Sequence, residues 1–175
     1  MKYNRINSAD SRYFKDAWLI YISSFPRNEV RDMGNQILIL PKDNYNFIAI
    51  ERDEVVVGII GYWLFDSYIY VEHLATSERV RGAGVGGVVL DYLKSFQKPI
   101  LLEIEPPVDD LTTRRKGFYE RAGFVINPYL HTHSPYHIDS GRVKMNIMSY
   151  PRMFTKAEYD AFCRSQQEIM PRLEL

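Results

Sequence analysis

From Arg79 to Leu93 the chain reads RVRGAGVGGVVLDYL. Glycines at positions 82, 84, 86 and 87 run straight into apolar residues at helical spacing, Val85, Val88, Val89, Tyr92, Leu93 and Phe96. Glycine inside a helix costs about 1 kcal/mol relative to alanine, so four of them at a helix opening signal a task performed by the backbone itself. A helix N-terminus exposes unpaired N–H groups and the positive end of the helix dipole, and both attract phosphate oxygens. Without Cβ atoms those donors can be approached closely. The fold must therefore leave this helix entrance open to a phosphate-bearing ligand.

Composition narrows the setting. A chain of 175 residues suits one domain, expected here over 1–175 with 151–175 as a helical extension, that buries roughly 70% of the surface it exposes when unfolded. Lys plus Arg and Asp plus Glu each number 22, so no net field favours nucleic acid or an anionic membrane as partner. Cys163 is the only cysteine, which excludes an internal disulfide framework and a cysteine-rich zinc site and fits a reducing, cytoplasmic setting. The run AWLIYI (17–22) is too short to span a membrane and reads as the buried side of a helix.

Periodicity supplies the elements. KYNRI (2–6) reads as a strand, and Ser8 as the N-cap of a helix reaching Ser24, with Pro26 ending the run. A second helix is expected within 29–38. YNFIAIE (45–51), VVVGIIGYWLF (55–65) and YIYVEHLA (68–75), separated by short turns, predict an antiparallel meander. The glycine-led helix ends before Pro99, and ILLEIE (100–105) is a strand arriving from a helical crossover, so it should run parallel to a neighbour. A helix from about Thr112 to Ala122 closes on Gly123. Strands near 124–129 and 142–148 follow, and Thr155 with Glu158 forms a capping box for a last helix. The class is α+β, or mixed α/β.

Two fingerprints compete for the glycine loop. Gly82, Gly84 and Gly87 satisfy G-x-G-x-x-G, and Glu103 or Glu105 follows about twenty residues later as a ribose-binding acid would. A dinucleotide turn leaves its strand almost at once, however, whereas TSERVR separates Ala75 from Gly82 here, and a meander precedes the unit. The alternative is R-x-x-G-x-G, met by Arg81, Gly84 and Gly86, with Arg81 set to pair with a diphosphate. Here the chain resembles the GNAT superfamily of acetyl-CoA-dependent N-acetyltransferases. HLATSERVRGAGVGGVVLDYL is similar to that family's pyrophosphate-binding motif, and FYERAGF (118–124) to its second signature, a helix carrying a tyrosine before the Gly-Phe that opens the next strand. The resemblance spans roughly residues 1–149 and is strongest at 70–124.

The resemblance implies a GNAT-like fold, a central mixed and mostly antiparallel sheet with a splayed parallel strand pair, flanked by helices. It also implies acetyl-CoA as cofactor and direct transfer of the acetyl group to a primary amine, most simply that of a small molecule. The amides of Val80, Arg81, Gly82, Ala83, Gly84, Val85, Gly86 and Gly87 would hold the diphosphate, Leu74, Ala75 and Thr76 the pantetheine and thioester, and Thr112, Arg115 and Phe118 the rest of the coenzyme. Thr112 and Arg115 stand where family members often have Asn and Ala. Tyr119 matches the usual general acid for the departing thiolate.

An ammonium ion has no lone pair to offer, so a base is needed. Strand alternation puts Tyr68, Tyr70, Glu72 and Leu74 on one side and Ile69, Val71, His73 and Ala75 on the other. Glu72 is the first choice of base, acting directly or through a water. Glu103 and Glu105 share a side of the next strand and could be base or ammonium anchor; equally, these carboxylates could be solvated or paired with arginines of the 112–122 helix. Phe25, Glu29 and Arg31 in SSFPRNEVR (23–31) either line the acceptor pocket, as this segment does in the family, or pack the turn. His131, His133 and His137 form H-x-H-x-x-x-H; a metal site is the lesser reading, and a polar loop with His133 bordering the acceptor pocket the preferred one. Two other functions remain in play: an acyl-CoA-binding module without catalysis, and an NAD-binding oxidoreductase. Monomer and homodimer are both open.

Overall fold

The computed structural model describes residues 1–137 and 139–170. The chain divides into two compact units, Met1–Lys98 and Pro99–Leu175.

The first unit is an antiparallel meander. Strands β1 (Lys2–Ile6), β2 (Tyr45–Arg52), β3 (Val55–Leu64) and β4 (Ile69–Thr76) pair in that order. The β2–β3 hairpin closes at Asp53 and Glu54, both at positive φ (51° and 63°), as the twist of a two-residue hairpin turn demands. Gly58 is required by a close approach: a Cβ there would stand 2.8 Å from the carbonyl oxygen of Ala75. At Gly61 the ladder slips, because His73 faces Gly61 while Val71 faces Tyr62. Glu72 is therefore the extra residue of a β-bulge, which breaks the expected alternation along β4.

Helix α1 (Phe14–Ser24) buries Phe14, Ala17 and Tyr21. It begins five residues later than the Ser8 cap predicts. Ser8 spends its hydroxyl on the Asp10 amide (3.1 Å) and its carbonyl on the Ser11 amide (3.2 Å), local turns that compete with helix formation. A 3-10 turn at Arg27–Glu29 leads to α2 (Met33–Ile39), capped by Asp32, whose side chain accepts from the Asn35 amide. Helix α3 (Val85–Lys94) buries Val85, Val89, Leu90 and Leu93.

The second unit is organised by one strand. β8 (Val143–Tyr150) pairs antiparallel with β5 (Ile100–Ile104), β6 (Val125–Ile126) and β7 (His131–His133). The strand expected at 124–129 shrinks to two residues because Asn127 turns inward: its Nδ2 donates to Ser149 Oγ (2.7 Å) and its Oδ1 accepts from the Phe154 amide (2.8 Å). β7 was not foreseen. Helix α4 (Asp110–Arg121) starts two residues early because Asp109, not a later residue, is the N-cap, and Gly123 follows it at φ 86°. Helix α5 (Lys156–Ile169) has the expected Thr155–Glu158 capping box and buries Tyr159, Phe162, Gln166 and Ile169. Among the described residues no helix is long and apolar enough to cross a membrane.

Candidate active site

The glycine loop has the geometry its sequence suggested. A 3-10 turn at Glu78–Val80 carries the chain to Gly82 (φ 80°) and Gly84 (φ 75°), and Gly84 is the left-handed N-cap residue of α3. A Cβ on Gly82, Gly84 or Gly87 would meet nothing within 4 Å. No neighbouring atom demands these glycines, so what they preserve is backbone conformation and an open approach to the helix entrance. Arg81 is two-thirds exposed, with Nη1 3.4 Å from Glu78, a solvated contact that an incoming anion can replace at little cost.

On β4 the bulge turns Glu72 and His73 toward the same elements, correcting their assignment to opposite sides. The Glu72 carboxylate is fully buried and pairs with Arg31, itself 1% exposed, at 2.6 Å. It also accepts a hydrogen bond from Trp63 Nε1 (3.2 Å). His73 Nε2 meets the Glu29 carbonyl at 2.7 Å, and its ring lies edge-on to Tyr21 (4.7 Å) and near Phe25 (4.8 Å). The Tyr21 hydroxyl accepts from the Arg31 amide (2.9 Å); burial raises that phenol well above its ordinary pKa, with Arg31 opposing. Arg31 also stands 6.0 Å from the Tyr45 and Trp63 rings. Phe25, Glu29 and Arg31 thus pack and anchor the turn between α1 and α2. The Glu72 carboxylate is thus held by a guanidinium and an indole N–H, partners that favour its charged form against the opposing effect of burial.

In the second unit Tyr119 is buried on α4 between Phe118 and Phe124, with ring centroids at 5.0 and 5.7 Å. Burial raises its hydroxyl to about 12, with Arg115 opposing, so the phenol carries its proton at neutral pH. Thr112 is consumed locally: its amide donates to Asp109 (2.8 Å), and its hydroxyl oxygen accepts from the Val108 and Asp109 amides (3.0 and 3.1 Å). Arg115 pairs with Glu105, the arginine pairing weighed as an alternative for these carboxylates. Glu103 and Glu105 do not act as neighbours, because β5 ends at Ile104 and the chain turns away into Pro106 and Pro107.

Glu103 instead lies at the centre of a buried polar cluster. One oxygen takes His131 Nε2 at 2.5 Å. The other takes His133 Nδ1 at 2.9 Å and the Gln166 amide at 3.1 Å. Behind His131, Nδ1 meets the Tyr159 hydroxyl at 3.0 Å. Burial pushes the Glu103 carboxyl up, but the charge of His133, hydrogen bonds from His131 and His133, and the charge of His131 outweigh it and hold the group well below the usual carboxylate range. The loop expected around His133 is a buried strand, and His131 and His133 converge on Glu103; among the described residues no set of three His, Cys, Asp or Glu side chains could hold a metal ion. Trp63, His73, Tyr159 and Gln166 were missed by sequence reasoning. For Gln166 a signal existed, since it falls on the buried stripe of α5 with Tyr159 and Phe162; Trp63 and His73 depend on a bulge that no local pattern announces.

Residues 43–126 match the family model described as the acetyltransferase (GNAT) domain. GNAT acetyltransferases use acetyl-CoA as acyl donor. The chain is 36% identical over 104 residues to YjbC of Bacillus subtilis (strain 168), a protein provisionally assigned as an acetyltransferase; the match covers 57% of this chain and 52% of that one. The chain therefore spans about half the length of the curated relative it matches. Over 97% of both chains it superposes, at a TM-score of 0.88 and 29% identity, on a provisionally assigned GNAT-family acetyltransferase from Bacteroides thetaiotaomicron. At 12% identity and a TM-score of 0.61, it shares its fold with an aminoglycoside 6'-N-acetyltransferase complexed with coenzyme A, over 99% of this chain and 100% of that one.

Proposed function

We propose that the protein is an acetyl-CoA-dependent N-acetyltransferase that transfers acetyl directly to a primary amine of a small molecule. The observation that carries this reading is the open entrance of α3. Gly82 and Gly84 hold left-handed conformations with free space where side chains would be, beside an exposed Arg81 and within the segment that matches the GNAT domain. In this reading the amides from Val80 to Gly87 and the Arg81 guanidinium hold the diphosphate, Leu74, Ala75 and Thr76 guide the pantetheine along β4, and an amide there polarises the thioester carbonyl. Arg115 and Phe118 add contacts from α4, while Thr112 contributes through the cap that sets the start of that helix.

The chemistry is a direct displacement. The amine nitrogen attacks the carbonyl carbon, the C–S bond breaks, and the thiolate takes a proton from Tyr119, which recovers one from the acetylated nitrogen. One further proton, from the ammonium form of the substrate, must pass to a base before attack.

A thermal-shift comparison of coenzyme A with NAD is the first test. Coenzyme A should raise the melting temperature and NAD should not; a larger shift with NAD overturns the reading. Tyr119→Phe should then lower kcat about 100-fold with little change in coenzyme A affinity. Coenzyme A binding without thiol release from acetyl-CoA across a panel of amines would instead favour a non-catalytic acyl-CoA-binding module.

A further inference from the structure

We propose that Glu78 is a positioning residue for Arg81: in the free protein its carboxylate occupies the guanidinium that would otherwise meet the coenzyme's diphosphate, and it retakes that guanidinium on release. The proposal rests on the acetyltransferase reading and adds to it a residue that tunes coenzyme exchange. Arg81 Nη1 stands 3.4 Å from Glu78 Oε1, three residues back along the chain. Among the described residues Arg81 makes no other ion pair. The contact is not needed to form the 3-10 turn, which the backbone closes by itself. The Val80 amide donates to the Ser77 carbonyl (3.2 Å), and the Arg81 amide donates to the Glu78 carbonyl (3.2 Å). Nor does it steady the fold, since the side chains are 66% and 86% exposed and such pairs add little to stability. What the pair does decide is where the guanidinium waits.

The place where it waits is the entrance of α3. Arg81 leads directly into Gly82 and Gly84, whose left-handed conformations turn the chain into that helix, and the first amides of a helix have no acceptor within it. A carboxylate three residues from the arginine of an anion site is costly for affinity, because it and the anion compete for one cation. The chemistry of the reaction gives that cost a use. Acetyl-CoA and coenzyme A carry the same diphosphate, so a grip on it binds substrate and product alike and leaves the acyl step unassisted. Product release limits many enzymes of this kind of cycle. An internal carboxylate that exchanges with the diphosphate on Arg81 weakens both complexes by the same factor and speeds departure. All the groups involved belong to the segment from Ser77 to Val85.

The test uses the full chain and coenzyme A, with affinity measured by calorimetry and dissociation by chasing a thiol-labelled fluorescent coenzyme A with the unlabelled one. Glu78→Gln should bind coenzyme A about threefold more tightly, with most of the gain in slower dissociation and the melting temperature of the free protein nearly unchanged. Glu78→Ala should give the same gain, so the outcome does not hang on one substitution. Arg81→Met should weaken binding about tenfold. In the Arg81→Met background, Glu78→Gln should improve binding by less than about 1.5-fold, because the group through which Glu78 acts is gone. A merely structural role, or a diffuse repulsion of the ligand, would leave the effect of Glu78→Gln the same in both backgrounds. That equality overturns the proposal, and so does an unchanged or weakened affinity in Glu78→Gln; in both cases coenzyme binding by the wild type leaves the broader reading standing. A wild type that does not bind coenzyme A at all removes the broader reading and the proposal together.

Discussion

Each unit of the molecule has a carboxylate buried against basic partners, Glu72 in the first and Glu103 in the second, and the partners of these two differ in kind. In the first unit Glu72 faces Arg31 at 2.6 Å, whose guanidinium never gives up its proton, and Trp63 Nε1 at 3.2 Å, with the His73 ring further off at 3.9 Å. In the second, Glu103 faces two imidazoles, a kind of side chain that can gain or lose a proton, and the Gln166 amide. A carboxylate with a permanent partner can only fasten elements together, here β4 to the turn that follows α1. A carboxylate with titratable partners can also move a proton. Burial and charge are alike in the two places, so the chemistry of the partner, and not the depth of the site, separates a fixed pair from one that can titrate.

The largest effect should come from breaking the first of these. Arg31→Met leaves Glu72 buried without its counter-charge, and loss of one partner from a buried pair costs about 3–5 kcal/mol. Denaturant midpoints at unchanged slope should show a fall of that size, and Glu72→Gln in the same background should recover part of it. A loss as small as that of an exposed pair would mean that water reaches Glu72, and the contrast between the units would dissolve.

Glu103→Gln should cost less, roughly 1–3 kcal/mol at neutral pH, since a neutral amide keeps part of the hydrogen bonding. Its signature lies in acid. The folded carboxyl is held below its unfolded value, about 4.3, so its contribution is fully present above that pH and is lost as the pH falls through the folded value. Wild type should therefore lose stability below about pH 4 more steeply than Glu103→Gln. Parallel curves would show that the two imidazoles do not favour the charged carboxylate.

The same contrast explains how much could be read without coordinates. The meander, the glycine-led helix, Gly123 and the Thr155–Glu158 box were legible because each is written within a few consecutive residues. The neighbours of the carboxylates were not, since they rest on events of longer range. Glu72 and His73 face the same segment, that between α1 and α2, because of a bulge opposite Gly61. Glu103 and Glu105 part company because β5 stops at Ile104. His131 and His133 belong to a strand that forms only against β8. Alternation predicts sidedness only while the ladder stays regular.

The glycine loop offers a sharper, smaller test of what belongs to the fold and what to the ligand. Gly84→Ala places a Cβ in open space but forces it into a left-handed conformation, a cost of about 1–2 kcal/mol. Gly87→Ala carries no such conformational demand and meets nothing within 4 Å, so it should be neutral or slightly stabilising in the free protein. If both substitutions weaken coenzyme A binding by calorimetry while only Gly84→Ala lowers the melting temperature, the open space at Gly87 belongs to the ligand.

The smallest effect is the most local. Thr155 caps α5 by accepting from the Glu158 amide (3.3 Å), while Glu158 accepts from the Thr155 amide (2.7 Å). Thr155→Ala should cost about 1 kcal/mol. The helix it caps carries Tyr159 and Gln166, which hold His131 and Glu103, whereas the Glu72–Arg31 pair ties β4 to the segment after α1. Fraying at Thr155 should therefore speed amide hydrogen exchange along α5 and β7 and leave β4 as protected as before. Equal loosening of β4 would mean that the two buried carboxylates share one cooperative unit, and the difference in their partners would then have to be read as two ends of a single network.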